Sequence, residues 1–282
     1  MLKILSLILH DKRGIFGIST LLFFSLIGIF APYISPYDPF AIWTPNLPIS
    51  LRHPLGTDPL GRDVLSQLIW GSRTSLIVSF TAALGIMGIG LTIGLISALS
   101  RPLVDEVLMR FTDVILYIPK LPLLIFFALI LGRGFLNVVL VLSLTMWPQT
   151  ARVIRSEVLS IKQRPFIDAA KIAGAGTLKI LAIILPHIFP LILASILTLI
   201  TWSLIYEASL GFLGLGDPSV MSWGTMFHYA FLSGAIYLRN YAPIIAPGLC
   251  ITLIGVGMNS LISVLEEVVN PKIKEVRRWK PF

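Results

Sequence analysis

The sequence predicts an all-α polytopic membrane protein with six transmembrane helices and cytoplasmic N- and C-termini. Three observations predict it. Hydrophobic residues make up 56% of the chain and charged residues only 13%, at a mean hydropathy of +0.88. Soluble domains hold about 25% charged residues, and a globular core cannot hide that much apolar surface. Six apolar runs, five of them uncharged, approach or exceed the about 20 residues that cross a bilayer. The basic residues are also spread unevenly between those runs. The net charge of +8 would point to nucleic acid in a soluble chain. Here it supplies orientation signals and contacts to membrane lipid, and no nucleic-acid partner is expected.

The first run, Gly14–Tyr37, follows Lys3, Lys12 and Arg13. It is longer than the roughly 7–15 residues of a cleaved signal's apolar core and reads as a retained span. Thr74–Ser100 is the second, where Gly85, Gly88, Gly90 and Gly94 let neighbouring helices approach closely. Phe111–Leu131 is the third; Asp113 and Lys120 fall inside it, and Pro119 and Pro122 kink it. In a continuous helix Asp113 and Lys120 share a face, and Arg110 pairs with Asp113 near the inner surface. The fourth run is Gly134–Ala151, continuing toward Glu157; the fifth is Ile180–Tyr206 and the sixth Asn240–Leu265.

With the N-terminus inside, Arg52, Arg62, Arg73, Arg133 and Arg239 lie outside and Lys120 lies within a span. All the other Lys and Arg residues, of 22 in the chain, fall on the inner side, as the positive-inside rule requires. Pro218–Leu238 is uncharged too, but Ser219, Ser222, Trp223, Thr225 and His228 make it too polar for lipid. It reads as an outer loop, partly re-entrant or interfacial. The expected organisation is a cytoplasmic N-terminus 1–13, a transmembrane domain 14–265 and a cytoplasmic tail 266–282. The transmembrane domain carries external loops 35–73 and 211–239 and a cytoplasmic loop 152–179.

That cytoplasmic loop holds the most informative segment. Pro165 suits a helix's first turn, Asp168 its positive end, and Ala169 and Ala170 its interior. Gly174 and Gly176 end it. The result is a helix of two to three turns between two spans, small enough on its surface for another protein to come close. The string Asp168-Ala169-Ala170, three residues, then Gly174 resembles the signature loop of ATP-binding-cassette (ABC) importer permeases, with Asp in place of Glu. Ile184-Leu185-Pro186 resembles its ending, with Pro186 one residue early.

Other segments resemble the dipeptide/oligopeptide branch of that family. His53-Pro54-Leu55-Gly56-Thr57-Asp58, continuing to Leu60-Gly61-Arg62-Asp63, is similar to the branch's first external loop and to its C-type permease. Ser209 through Gly216, followed by Trp223-Gly224, resembles a second loop. Asn259 through Asn270-Pro271-Lys272 resembles the branch's ending, with Ser263, Asn270 and Lys272 replacing Asp, Asp and Arg.

The resemblance implies a type I ABC importer permease fold in the cell membrane. It also implies a second homologous permease, two cytoplasmic ATPase subunits and an extracytoplasmic solute-binding protein as partners. Arg164, Asp168, Ala169, Ala170, Lys171 and Gly174 would then dock on the ATPase. Cargo would be di- or oligopeptides, with oligosaccharides or metal chelates as alternatives.

No nucleotide motif is present: Gly211, Gly214 and Gly216 are followed by no Lys-Ser/Thr. ATP and magnesium are therefore expected on the partner subunits, with no cofactor or catalytic residue in this chain. Glu207, at the end of the fifth run, and Lys120 are candidates for the path or gate, because charges at lipid depth are costly. For Glu207 the competing reading is structural pairing at the outer interface. Asp58, Arg62, Asp63 and Trp223 are candidates for binding-protein docking. His53, Asp58 and Asp63 have no standard metal spacing, and Cys250 lies alone in an apolar run. An ion-driven secondary transporter would be expected to show repeats and intramembrane ionisable clusters, and neither is apparent.

Overall fold

The computed structural model describes residues 9–269. Lys3 and the predicted Asn270-Pro271-Lys272 ending lie outside the described residues. The described chain is helical, with α1 Lys12–Ile34, α2 Val64–Leu99, α3 Pro102–Tyr117, α4 Lys120–Leu131, α5 Phe135–Lys162, α6 Pro165–Ile172, α7 Thr177–Phe212, α8 Trp223–Leu232 and α9 Ala242–Val269. Four of these, α1, α2, α7 and α9, are long and apolar enough to cross a membrane. The pair α3–α4 adds a fifth candidate as one broken span.

Local chemistry sets the boundaries. Asp11 caps α1 by accepting from the Arg13 backbone N–H at 2.8 Å, and the Arg13 guanidinium reaches Glu267 near the end of α9 at 2.9 Å. Asp63 caps α2, accepting from the Ser66 N–H at 2.8 Å. Helix therefore takes in residues 64–73, the last part of the predicted external loop 35–73. The segment before it folds back through two isolated bridges, Ile42 with Arg62 and Thr57 with Asp63.

The third predicted span is not one kinked helix. Proline restricts the residue before it to extended backbone, and Ile118, before Pro119, adopts ψ 127°. Helices α3 and α4 consequently meet at 94°. Asp113 and Lys120 do not share a helix face. Nor does Arg110 pair with Asp113: it bonds Glu106 one turn back at 2.5 Å, and Asp113 pairs with Arg152 of α5.

The centre is the crossing of α2 and α5. Gly90 and Gly94 bring the two backbones together: a Cβ on Gly94 would stand 2.7 Å from the Ala151 carbonyl. Gly88 faces open space. The main core gathers Ile86, Leu142, Leu204, Trp223 and Met258 from α2, α5, α7, α8 and α9. A second, smaller cluster joins Ala98, Ile154, Val158, Ile161, Ile167, Ile184 and Ile188 at the far end of α2, α5 and α7.

Two predicted boundaries move. Helix α7 runs without interruption through Pro186 and Pro190 to Phe212, beyond the expected end at Tyr206. The segment expected to be an outer loop contains α8, opened by a capping box between Ser222 and Thr225. Backbone contact explains both. A Cβ on Gly224 would stand 2.8 Å from the Ala208 Cα and 3.1 Å from the Gly211 Cα, so the last turns of α7 are held by α8.

Candidate functional site

Helix α6 stands on the α5–α7 connection. Pro165 occupies its first turn and Asp168 and Lys171 bond across it at 2.9 Å, both exposed. Its end is a Schellman turn: the Gly174 N–H bonds the Lys171 carbonyl at 2.9 Å and the Ala175 N–H bonds the Ala170 carbonyl at 3.0 Å. Gly174 has φ +83°, a conformation that strains any residue with a Cβ.

Ile167 is the helix's one buried side chain, at 0% exposure within the smaller cluster. Phe166 stacks on His187 of α7 at 5.1 Å. Asp168, Ala169, Lys171 and Gly174 are exposed, with Ala170 half-buried and Ile172 89% exposed. The structure thus brings the predicted docking residues to one projecting element. Arg164 is its N-cap residue and is also exposed. Sequence reasoning missed Ile167, whose signal was the apolar pair Phe166-Ile167 at the start of an otherwise small and polar helix.

A second feature is a cavity of about 830 Å³ bounded by the α3–α4 break, α5, α7 and α9. Lys120 lines it and donates to the Thr145 carbonyl at 3.0 Å. Gln149, Thr150, Ser195 and Thr198 add polar groups, and Trp202 and Tyr206 add rings stacked at 6.0 Å. Among these, only Lys120 was singled out from sequence. The signal for the others was legible: residues 191, 195, 198, 202 and 206 repeat at helical spacing on α7. Glu207 does not line this cavity. It is 5% exposed beside the hydroxyls of Ser75 and Ser222, and its Oε2 has no hydrogen-bond partner.

The four predicted docking residues of the outer loops turn inward. Asp58 is 2% exposed; it accepts from the Leu60 and Arg62 N–H groups and from Gln67 Nε2. Asp63 is fully buried, bonded to His53 Nδ1 at 2.9 Å and to both the N–H and the hydroxyl of Ser66. Trp223, also fully buried, donates its indole N–H to the Leu68 carbonyl and its backbone N–H to Ser75 Oγ. The Arg62 guanidinium lies against the rings of Tyr229, at 4.3 Å, and Phe40.

Two family models match the sequence. Residues 90–275 match the binding-protein-dependent transport system inner membrane component, a stretch that includes α6 and most of the cavity. The chain belongs to this family. Residues 7–54 of the permease match the N-terminal transmembrane domain of oligopeptide transport permease C, which makes it a dipeptide/oligopeptide-type ABC permease.

The permease is 33% identical to the di/tripeptide transport system permease protein DppC of Pseudomonas aeruginosa, across 94% of this chain and 90% of that one. It is 32% identical to the oligopeptide transport system permease protein OppC of Bacillus subtilis, across 94% and 87%. It is 35% identical to the glutathione transport system permease protein GsiD of Pectobacterium atrosepticum, across 88% and 83%. The permease is a multi-pass protein of the inner membrane.

Proposed function

We propose that this chain forms, with a second homologous permease, the translocation path of an importer for di- and oligopeptides. Two cytoplasmic ATPase subunits holding ATP and magnesium drive it, and an extracytoplasmic solute-binding protein delivers cargo. Catalysis and cofactors belong to those partners. The observation that carries this reading is α6, a short helix anchored by buried Ile167 and by Phe166 stacked on His187, with its other residues mostly offered outward. The cargo reading is supported by the peptide and glutathione transport named for the relatives.

Six spans follow if α3–α4 counts as one and α5 as another. Arg152, Arg155, Lys162, Arg164, Lys171 and Lys179 gather at the end of the molecule that carries α6, and the positive-inside rule favours a cytoplasmic place for that end and for both termini. Arg164, Asp168, Ala169, Ala170, Lys171 and Gly174 then dock on an ATPase. Lys120 lies on the path, and Glu207 acts at the outer junction. Asp58, Arg62, Asp63 and Trp223 hold the surface on which the binding protein lands.

The test is Ala170→Arg in the reconstituted importer. Peptide uptake should fall by about tenfold or more, equivalent to about 1.4 kcal/mol of coupling per factor of ten, while the permease pair still assembles. Uptake at the wild-type rate would remove α6 from the coupling role.

A further inference from the structure

The ammonium of Lys120 has a location that packing alone does not explain. It opens α4 at the 94° break and donates to the Thr145 carbonyl at 3.0 Å. An ammonium has three protons, and among the described residues no other hydrogen bond and no carboxylate pairs with it. Thr145 lies ~15 Å along α5 from Phe135, so the charge sits near the middle of a hydrocarbon layer about 30 Å thick. A charge at that depth persists where water or a counter-charge reaches it. The cavity supplies the access: about 830 Å³, lined beside Lys120 by Gln149, Thr150, Ser195 and Thr198. The other acidic or basic side chain on its wall, Glu266, is ~36 Å from the start of α9, far from the layer's centre. Mid-membrane, the wall therefore shows one cation among neutral hydrogen-bonding groups.

We infer that Lys120 is the counter-charge for a carboxylate of the cargo in transit, so that the path selects solutes bearing a free carboxylate. This inference rests on the cavity being the transport path. Peptides differ in their side chains but share an unmodified C-terminal carboxylate. One ammonium among amide and hydroxyl groups recognises that shared group and nothing else in particular. Lysine suits the task better than arginine because its compact, well-hydrated charge makes no bidentate grip, and a path must release what it binds. The same cation disfavours metal ions and gives neutral sugars no charged anchor.

The experiment uses the complete importer, with its ATPases and binding protein, in proteoliposomes. Uptake of dialanine is compared with uptake of dialanine amide for wild type, Lys120→Met and Lys120→Arg. The ratio between the two peptides cancels any preference of the binding protein, which is the same in every sample. Lys120→Met should lower the free-acid to amide ratio by about tenfold, and Lys120→Arg should keep most of it. A lysine that only braces α5 would slow both peptides alike, and an unchanged ratio in Lys120→Met overturns the inference while leaving the importer reading intact. Uptake of neither peptide by the wild type overturns both. Tryptophan fluorescence and thermal unfolding of the Met variant establish that it is folded, and Lys120→Arg gives the second, charge-preserving reading.

Discussion

Asp217 shows how one side chain can serve an element distant in sequence. Helix α5 begins after Gly134, which has no side chain to cap it, and Asp217 accepts the Phe135 N–H at 2.9 Å from the loop before α8. Burial pushes this carboxyl up, but hydrogen bonds from the Ser219 hydroxyl and from the Ser219 and Phe135 N–H groups more than offset that and hold it below its ordinary 3.8. Asp217→Ala should destabilise the protein by about 0.5–2 kcal/mol, as loss of a helix cap does. The sign with pH follows from the lowered value. The contribution is full above the ordinary carboxylate value and is lost as pH falls through the lowered one. Thermal unfolding of variant and wild type should therefore differ near neutrality and converge in acid. Nothing in the sequence marked Asp217, because its partner lies 82 positions away and loop contacts of that kind leave no periodic trace. Asp168, by contrast, was legible, because a helix's first turn and its acidic residue are neighbours in sequence.

Among the elements, α3 depends on a polar tie as well as on packing. Asp105 in its first turn accepts two hydrogen bonds from Arg155 of α5, both at 2.6 Å, and a further one from Ser97 of α2. The pair is partly buried, and bidentate geometry makes it strong. Asp105→Asn should cost about 1.5–3 kcal/mol, and Ser97→Ala less, by denaturation of the purified permease. The element's other end explains where sequence reading stopped. Pro119 and Pro122 announced a disturbance, but a slight kink and a 94° bend can arise from the same two prolines. The bend lies beside the cavity, and Lys120, just past it, donates to the Thr145 carbonyl, contacts that the sequence does not show. The external segments posed a similar problem: polarity alone argued that 218–238 was no span, while the backbone contact of Gly224 with Ala208 and Gly211, which seats α8, is invisible to hydropathy.

At the scale of the whole molecule, the orientation that the positive-inside rule favours can be checked directly. Cys250 is buried, so single cysteines introduced elsewhere report their own side. In intact cells a membrane-impermeant maleimide should label Leu51→Cys, at a fully exposed site of the 35–63 segment, and should reach Lys179→Cys only after the membrane is opened. The reverse pattern would invert the topology. The apolar runs suggested six spans, whereas four helices are long and apolar enough to cross a membrane, five with the α3–α4 pair; the difference lies at α5. Helix α5 carries Ser143, Thr145 and Thr150, which are buried by its neighbours, and Arg152 and Arg155, which pair with Asp113 and Asp105 of α3.

The smaller cluster under α6 is built almost wholly of β-branched side chains, with Ile154, Val158, Ile161, Ile184 and Ile188 joining Ile167. Such residues are stiff at χ1, and close-packed interiors transmit displacement rather than absorb it. The cluster is thus a hard bearing set where a push from outside the membrane would arrive, while the hinge-like break at residues 118–119 lies against open space. A softer bearing should slip. Ile167→Met and Ile184→Met keep volume and should cost under about 1.5 kcal/mol each, so the protein stays folded. The expected loss is in gearing: more ATP hydrolysed for each peptide carried, read as the ratio of phosphate released to peptide accumulated. A wild-type ratio in the double variant would show that this end of the molecule needs no rigidity to do its work.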